Sequence, residues 1–184
     1  YANVQHGTLP GVNEGAVNIQ LPNTTEACPA KLTITRTDGV AFTPIVKTNV
    51  TEEVTLIENL PKGNYQVKAE YGGITKTRNF QISEGTLGYF SYNSSTPANR
   101  LCEASGGYVW NLYNGIYYAP LKMRVTYRDG GALVKEWTQP AGERTVEVKG
   151  LFPGEYTITA RHESSGTEIK SDFTIGLKNY LEGD

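Results

Sequence analysis

Apolar and polar side chains alternate in several short stretches of this 184-residue chain. Leu32 and Ile34 flank a threonine, and Met123 and Val125 flank an arginine. A period of two places every second side chain on one face of a β-strand. No window of helical length has apolar residues at the i, i+3, i+4, i+7 spacing of an amphipathic helix. The pattern therefore predicts an all-β protein with no helix longer than one turn.

The alternating stretches occur in two matching sets. The segment KLTITRTDG at 31–39 is similar to KMRVTYRDG at 122–130, which lies 91 residues later. The same offset of 91 relates LPKGNY at 60–65 to LFPGEY at 151–156. Self-similarity at one fixed offset is the signature of an internal repeat. The sequence therefore predicts two copies of one small domain.

Turn signals such as Asp-Gly and Gly-Gly separate the predicted strands, because these residues adopt the positive φ angles of tight hairpins. The strands are predicted near 15–21, 30–37, 40–48, 52–60, 64–71 and 74–83, and in the second copy near 106–113, 121–128, 131–138, 143–151, 155–162 and 167–176. Residues 54–57 do not alternate in phase, which predicts a β-bulge there. Six or seven short strands in about 90 residues are typical of the immunoglobulin type. The predicted fold is all-β, with two tandem immunoglobulin-like Greek-key β-sandwiches.

The predicted domains are a first sandwich with an N-terminal extension at 1–84, a linker or extra edge strand at 85–101, and a second sandwich at 102–184. The middle segment contains Tyr89, Phe90 and Tyr92. Because a flexible linker does not carry three aromatics in four positions, we expect part of this segment to pack on a domain. The chain starts at Tyr1 and its only methionine is Met123, which predicts a mature or excised fragment.

A tyrosine ends each of the repeated Leu-Pro-x-Gly-type blocks. Tyr65 and Tyr156 precede an alternating strand in their respective copies. In immunoglobulin-like sandwiches, a tyrosine at the start of strand F donates its hydroxyl back to the chain, an arrangement called a tyrosine corner. The alternative is that both are ordinary core aromatics. Either interpretation predicts a structural role.

The two cysteines do not correspond under the repeat. Cys28 lies in the turn after the first long strand of one copy, and Cys102 precedes the first long strand of the other. In tandem sandwiches these two ends are expected to be adjacent, so a Cys28–Cys102 disulfide at the junction is one prediction. Two unrelated thiols are the alternative. Two cysteines without a nearby histidine supply only half of a zinc site.

The charged residues indicate neither a nucleic-acid partner nor a reaction centre. Seventeen basic and 19 acidic residues are scattered along the chain, and no apolar run reaches the length of a membrane span. His6 and His162 have no nucleophile elbow or phosphate loop near them in sequence. Asp38 and Asp129 precede glycines, where aspartate suits turn geometry. The sequence predicts no catalytic residue, cofactor or metal, and leaves calcium at a domain junction open.

Aromatic residues cluster at the start of the second copy. Tyr108 and Trp110 occupy the inward phase of their strand, so we expect them in the core. Three tyrosines remain as a candidate surface for a glycan or a neighbouring domain: Tyr113, Tyr117 and Tyr118.

The blocks at 58–67 and 148–158 resemble the corner of bacterial surface repeats, with its pattern of the NLPAGTYTV type. In this corner the chain resembles the SprB-type repeats of Bacteroidetes adhesins and gliding proteins, and Cna-B and carboxypeptidase-regulatory-like sandwiches are similar there too. The resemblance implies a non-catalytic module of an exported, multi-domain or polymerising protein that is secreted or displayed at the cell surface.

Three functions follow from these observations as hypotheses. The first is a structural or adhesive segment of a bacterial surface protein, with other protein domains as partners. The second is a filament or pilus subunit, in which residues 1–13 add as a strand to an identical neighbour. The third is a carbohydrate-binding module that uses surface aromatics for glycans. None of the three involves nucleic acid or insertion into a membrane.

Overall fold

A computed structural model describes residues 1–22 and 24–178, and every regular element within these ranges is a β-strand. The first seven strands are β1 Ala2–His6, β2 Gly15–Gln20, β3 Ala30–Arg36, β4 Ile45–Val50, β5 Val54–Leu60, β6 Gly63–Tyr71 and β7 Ile74–Ile82. The next seven are β8 Tyr89–Thr96, β9 Gly106–Tyr113, β10 Leu121–Tyr127, β11 Leu133–Gln139, β12 Thr145–Leu151, β13 Gly154–His162 and β14 Thr167–Ile175. The all-β prediction is confirmed.

The chain divides into two compact units, Tyr1–Gly85 and Thr86–Asp184. In the first unit a three-stranded sheet, β1-β2-β5, faces a four-stranded sheet, β4-β3-β6-β7. The second unit repeats this order with β8-β9-β12 and β11-β10-β13-β14. All of these pairings are antiparallel. Each unit is therefore a two-sheet, immunoglobulin-like sandwich, as the sequence predicts.

The segment at 85–101 contains the first strand of the second unit. β8 pairs with β9 along its whole length, and Leu87 just before it is fully buried. Phe90 turns inward, with its ring 5.9 Å from that of Trp110. Apolar contacts of this kind hold the segment in the sandwich, so the structure places the start of the second unit at Thr86 rather than at residue 102.

Residues 1–13 do not extend away from the first unit. β1 pairs with β2, with Ala2 opposite Ile19 and Val4 opposite Val17. Leu9 is fully buried. The N-terminal stretch therefore fills the edge of its own sheet in this structure, and its addition to a neighbouring chain stays a prediction. Five residues with weak alternation give too little signal for a strand to be predicted at this edge.

The bulge predicted at 54–57 lies slightly later in the chain. Ile57 and Leu60 are both buried although they are three positions apart, because β5 carries an extra residue opposite Ala16. Asn59 reaches a φ of 61° at this point. Its counterpart 91 residues later, Gly150, has a φ of 69° in the corresponding bulge of β12. Both copies thus have a residue with a positive φ at the same position of the bulge, which keeps apolar side chains on the inner face.

Each unit has its own apolar core between its two sheets. In the first unit, the fully buried members include Val17, Leu32, Ile34, Leu60 and Tyr65. In the second, Leu112, Met123, Val125 and Ile158 are equally buried around Trp110. Burying one such aliphatic side chain contributes roughly 1.5–3 kcal/mol.

Candidate functional site

The tyrosines of the repeated corner make the same hydrogen bond in both units. The hydroxyl of Tyr65 donates to the carbonyl oxygen of Pro61 at 2.5 Å. The hydroxyl of Tyr156 donates to that of Phe152 at 2.7 Å. Burial raises the pKa of both hydroxyls, so they stay protonated and able to donate at neutral pH. In each unit the bond ties the connection between the sheets to the strand that follows it.

An ion pair adds to the corner of the first unit. Arg36 donates from Nε to Oδ1 of Asp38 at 2.7 Å, and from Nη2 to the carbonyl of Lys62 at 2.8 Å. The other oxygen of Asp38 accepts the backbone N–H of Asn64 at 3.2 Å. The hydrogen bond from Arg36 is the main reason why the pKa of Asp38 falls to about 2. The turn aspartate thus also links the β3 hairpin to the start of β6.

The second unit builds its corner with different contacts. Tyr127 stands where the first unit has Arg36, and its ring stacks on Tyr156 with 5.5 Å between centroids. Arg128 donates to the carbonyl of Phe173 at 3.0 Å. Within the described residues, Asp129 forms no side-chain hydrogen bond or ion pair. The two aspartates that match in sequence therefore differ in their contacts.

The two cysteines are free thiols, so the predicted Cys28–Cys102 disulfide is not formed in this structure. Cys28 is half-buried in a short turn, where its backbone N–H donates to the carbonyl of Thr25 at 3.0 Å. Cys102 is exposed in the turn between β8 and β9. Each thiol is held by a local turn of its own unit. A disulfide needs a specific Cα separation, and the pairing of these two thiols in solution stays a prediction.

Both histidines make short polar contacts with residues close to them in the chain. His162 is buried, its Nδ1 lies 2.7 Å from the hydroxyl of Ser165, and its ring contacts Tyr118. The Nδ1 of His6 lies 2.9 Å from the carbonyl of Gly7. Among the described residues, no three His, Cys, Asp or Glu side chains are grouped so as to hold a metal ion. The same residues contain no helix with the length and apolar character that crossing a bilayer requires.

The three candidate surface tyrosines do not form one surface. Tyr113 is exposed at the end of β9. Tyr117 is half-buried beneath the guanidinium of Arg144, which lies 5.1 Å from the ring centroid. Tyr118 is also half-buried, with its ring 5.7 Å from His162. Two of the three residues therefore support the loop between β9 and β10, and only Tyr113 presents its ring to solvent.

Tyr113 has a partner that sequence reasoning did not assign to a site. Tyr89 on β8 lies directly opposite Tyr113, and the two ring centroids are 5.9 Å apart. About half of each side chain is exposed. Two positions along the strands, on the same face, the pair Ser91 and Asn111 is polar. The aromatic-rich stretch at 89–92 was the signal in the sequence that could have indicated Tyr89. The sequence did not reveal that β8 pairs with β9 and so brings Tyr89 next to Tyr113. We call Tyr89 and Tyr113 the tyrosine pair.

Comparison with known proteins gives a coarse likeness only. No family model and no curated protein matches the chain. Among solved structures, it is similar to the chicken CNTN1 FN1–FN3 domains, at 13% identity over 95% of this chain and 66% of that one, with a TM-score of 0.37. It is also similar to a segment of two fibronectin type-III domains from chicken tenascin, at 12% identity over 95% and 97% of the two chains, with a TM-score of 0.35. Likenesses at this level carry no information about ligands.

Proposed function

We propose that this chain is a non-catalytic structural or adhesive module of an exported bacterial surface protein. The supporting observation is the duplication of a complete sandwich: each unit has its own core, the same strand order, the same tyrosine corner and the same bulge. A unit that closes its own core can be repeated along a chain without new packing partners. Repeated units of this kind suit a protein that holds its other domains apart from one another or displays them at a distance from the cell.

Mechanical unfolding of single molecules tests the structural role. With the chain held between two handles, we expect two separate unfolding events. Each event should lengthen the chain by about 300 Å, because a fully extended chain spans about 3.3–3.6 Å per residue. The variant Tyr156→Phe should lower the unfolding force of one event and leave the other unchanged. One merged event, or extension without measurable resistance, would contradict the proposal.

Surface display is tested separately, on cells that produce the parent protein. Antibodies raised against this chain should label intact cells as strongly as permeabilised ones. Brief protease treatment of intact cells should remove the signal. Labelling only after permeabilisation would overturn the assignment to the cell surface.

Carbohydrate binding is a second candidate function, and the tyrosine pair is the observation that favours it. Exposed tyrosine rings stack on the apolar faces of sugars, and adjacent amide and hydroxyl groups hydrogen-bond sugar hydroxyls. A glycan array should therefore give sugar-dependent signals that Tyr89→Ala and Tyr113→Ala abolish. Tyr1→Ala, at an exposed tyrosine of the other unit, serves as the matched control. An array without sugar-dependent signal ends this hypothesis.

A further inference from the structure

A cavity of about 180 Å³ opens beside β7 in the first unit. Its floor is apolar and consists of Ile19, Leu21, Val67 and Ala69, each at most 7% exposed. An engineered apolar cavity of about 150 Å³ is known to accept benzene, so this space is large enough for one aromatic ring or branched side chain. The cavity is open to solvent at its rim, where Lys76 and Arg78 of β7 lie.

The two rim cations lie on the inward side of β7. Side chains of a strand alternate between its faces, so Lys76 and Arg78 share a face with Phe80 and Ile82. Phe80 and Ile82 are buried in the core, whereas the two cations are exposed above the cavity floor. Within the described residues, neither cation forms an ion pair with a carboxylate. We call Lys76, Arg78 and the apolar floor the β7 cleft.

The second unit shows that the fold does not require this cleft. Trp110 replaces Ile19 there, and its ring lies 4.8 Å from that of Phe173. In the register of β13 with β14, Ile169 and Ser171 occupy the places of the two cations. In the second unit, the ring of Trp110 thus packs against Phe173, and the two positions equivalent to the cations carry uncharged side chains. Of the two copies, the first unit thus carries the pair of cations at these positions of its outer strand.

The position of the cleft at a sheet edge indicates what kind of ligand fits it. β7 is the outer strand of its sheet and pairs with one neighbour, β6. An extended peptide can lie along such an edge through its backbone, while alternate side chains enter adjacent pockets. A ring fits the apolar floor, and carboxylates on either side of it would meet the ammonium of Lys76 and the guanidinium of Arg78.

We propose that the β7 cleft binds an extended acidic peptide segment of a partner protein, with one aromatic side chain in the cavity and flanking carboxylates on Lys76 and Arg78. This goes beyond the proposed function, which names neither a binding site nor a ligand. It gives the first unit a recognition role that the second unit does not share.

The test is the binding of short labelled peptides to the full chain, followed by fluorescence anisotropy. The probe is the end-blocked peptide Glu-Asp-Tyr-Leu-Glu-Asp. Glu-Asp-Ser-Ser-Glu-Asp lacks the ring, and Lys-Lys-Tyr-Leu-Lys-Lys reverses the charge. We expect only the first peptide to bind, with an affinity that falls at least threefold between 50 mM and 500 mM salt, because the rim charges are exposed and screened.

Substitutions that introduce the residues of the second unit test the charged rim and the apolar floor of the cleft one at a time. The double variant Lys76→Ile with Arg78→Ser should weaken binding at least tenfold, and it changes only exposed side chains. Ile19→Trp should abolish binding by filling the cavity. Because a larger core residue can also destabilise the unit, the exposed double variant keeps the test valid if Ile19→Trp fails to fold. Tyr113→Ala, in the other unit, should bind the probe like the wild type.

Three results would overturn the proposal: no binding of the acidic aromatic peptide, equal binding of all three peptides, or unchanged affinity in the double variant. Inward charges on an edge strand also discourage association between sheets. If that is their whole role, the double variant self-associates and the wild type does not bind the peptide. The pulling and labelling experiments do not involve the peptide, so failure here leaves the proposed structural function untouched.

Discussion

Replacing Tyr156 by phenylalanine removes one oxygen from the core of the second unit and leaves the aromatic ring in place. The ring remains stacked between Phe173 and Tyr127, with centroids 5.4 and 5.5 Å away, so no cavity of the size of a side chain is created. The loss is the 2.7 Å hydrogen bond to the carbonyl of Phe152. A net hydrogen bond contributes about 0.5–1.5 kcal/mol, and a partly buried carbonyl left without a donor adds to this. We expect a loss of about 1–2 kcal/mol in the free energy of unfolding.

Tryptophan fluorescence can follow the second unit alone. Both tryptophans of the chain, Trp110 and Trp137, lie in that unit, and Trp110 is buried. For a unit of this size, a urea m-value near 1 kcal/mol/M is expected, so Tyr156→Phe should lower the fluorescence midpoint by about 1–2 M. The slope should stay the same, because the surface exposed on unfolding does not change.

The repeat provides the matched control. Tyr65→Phe removes the equivalent bond in the first unit, so it should shift a transition seen by far-UV circular dichroism and leave the tryptophan midpoint unchanged. Tyr113→Phe changes an exposed ring and should shift neither transition. An unchanged midpoint in Tyr156→Phe would refute the structural role of the corner. An equal tryptophan shift in Tyr65→Phe would refute the separation into two independent cores.

Three further predictions concern charge, backbone conformation and the thiols. Because the pKa of Asp38 is about 2 in the folded chain against 3.8 for the free group, its ionised form stabilises the first unit above about pH 4, and this contribution is lost as the pH falls towards 2. Urea midpoints of the first unit at pH 6 and pH 3 should therefore differ less in Asp38→Asn than in the wild type, and an equal difference would contradict this role of Asp38. Gly150→Ala should cost about 1 kcal/mol by thermal unfolding, because its φ is 69°, whereas Asn59→Gly should be neutral or slightly stabilising. A thiol reagent should titrate two cysteines without reductant, with the exposed Cys102 reacting first, and a count of zero would show that the predicted bridge forms in solution.

The sequence predicted most strands because their alternation is strong and bounded by turn residues. It did not predict β1, and it left β8 as one of two alternatives. Strands at the edge of a sheet have one paired neighbour and one partly exposed face, so their apolar positions are few. The bulge was predicted from broken alternation, but its place was set by pairing: Ile57 and Leu60 both reach the core only because Asn59 adopts a positive φ.

The candidate sites depended more on tertiary structure. Tyr113 could be selected from sequence as an exposed ring, but its partner Tyr89 lies 24 positions earlier and meets it only through the pairing of β8 with β9. Asp38 was predicted as a turn residue, and its ion pair with Arg36 is local, but its hydrogen bond from the backbone N–H of Asn64 needed the start of β6 beside the turn. The β7 cleft joins residues from β2, β6 and β7, which no local pattern brings together.

Periodicity and duplication by themselves determined that this chain is all-β, that it is built twice from one design, and which side chains face inward. These properties are local, because alternation and turn chemistry act between residues close in the chain. Only the tertiary structure decided which exposed residues come together. These are the tyrosine pair, the hydrogen bonds of Arg36 and Asp38 at the corner of the first unit, and the two cations above the apolar floor of the β7 cleft. Such contacts depend on the register and curvature of several strands together, as in the β7 cleft, whose lining comes from three strands.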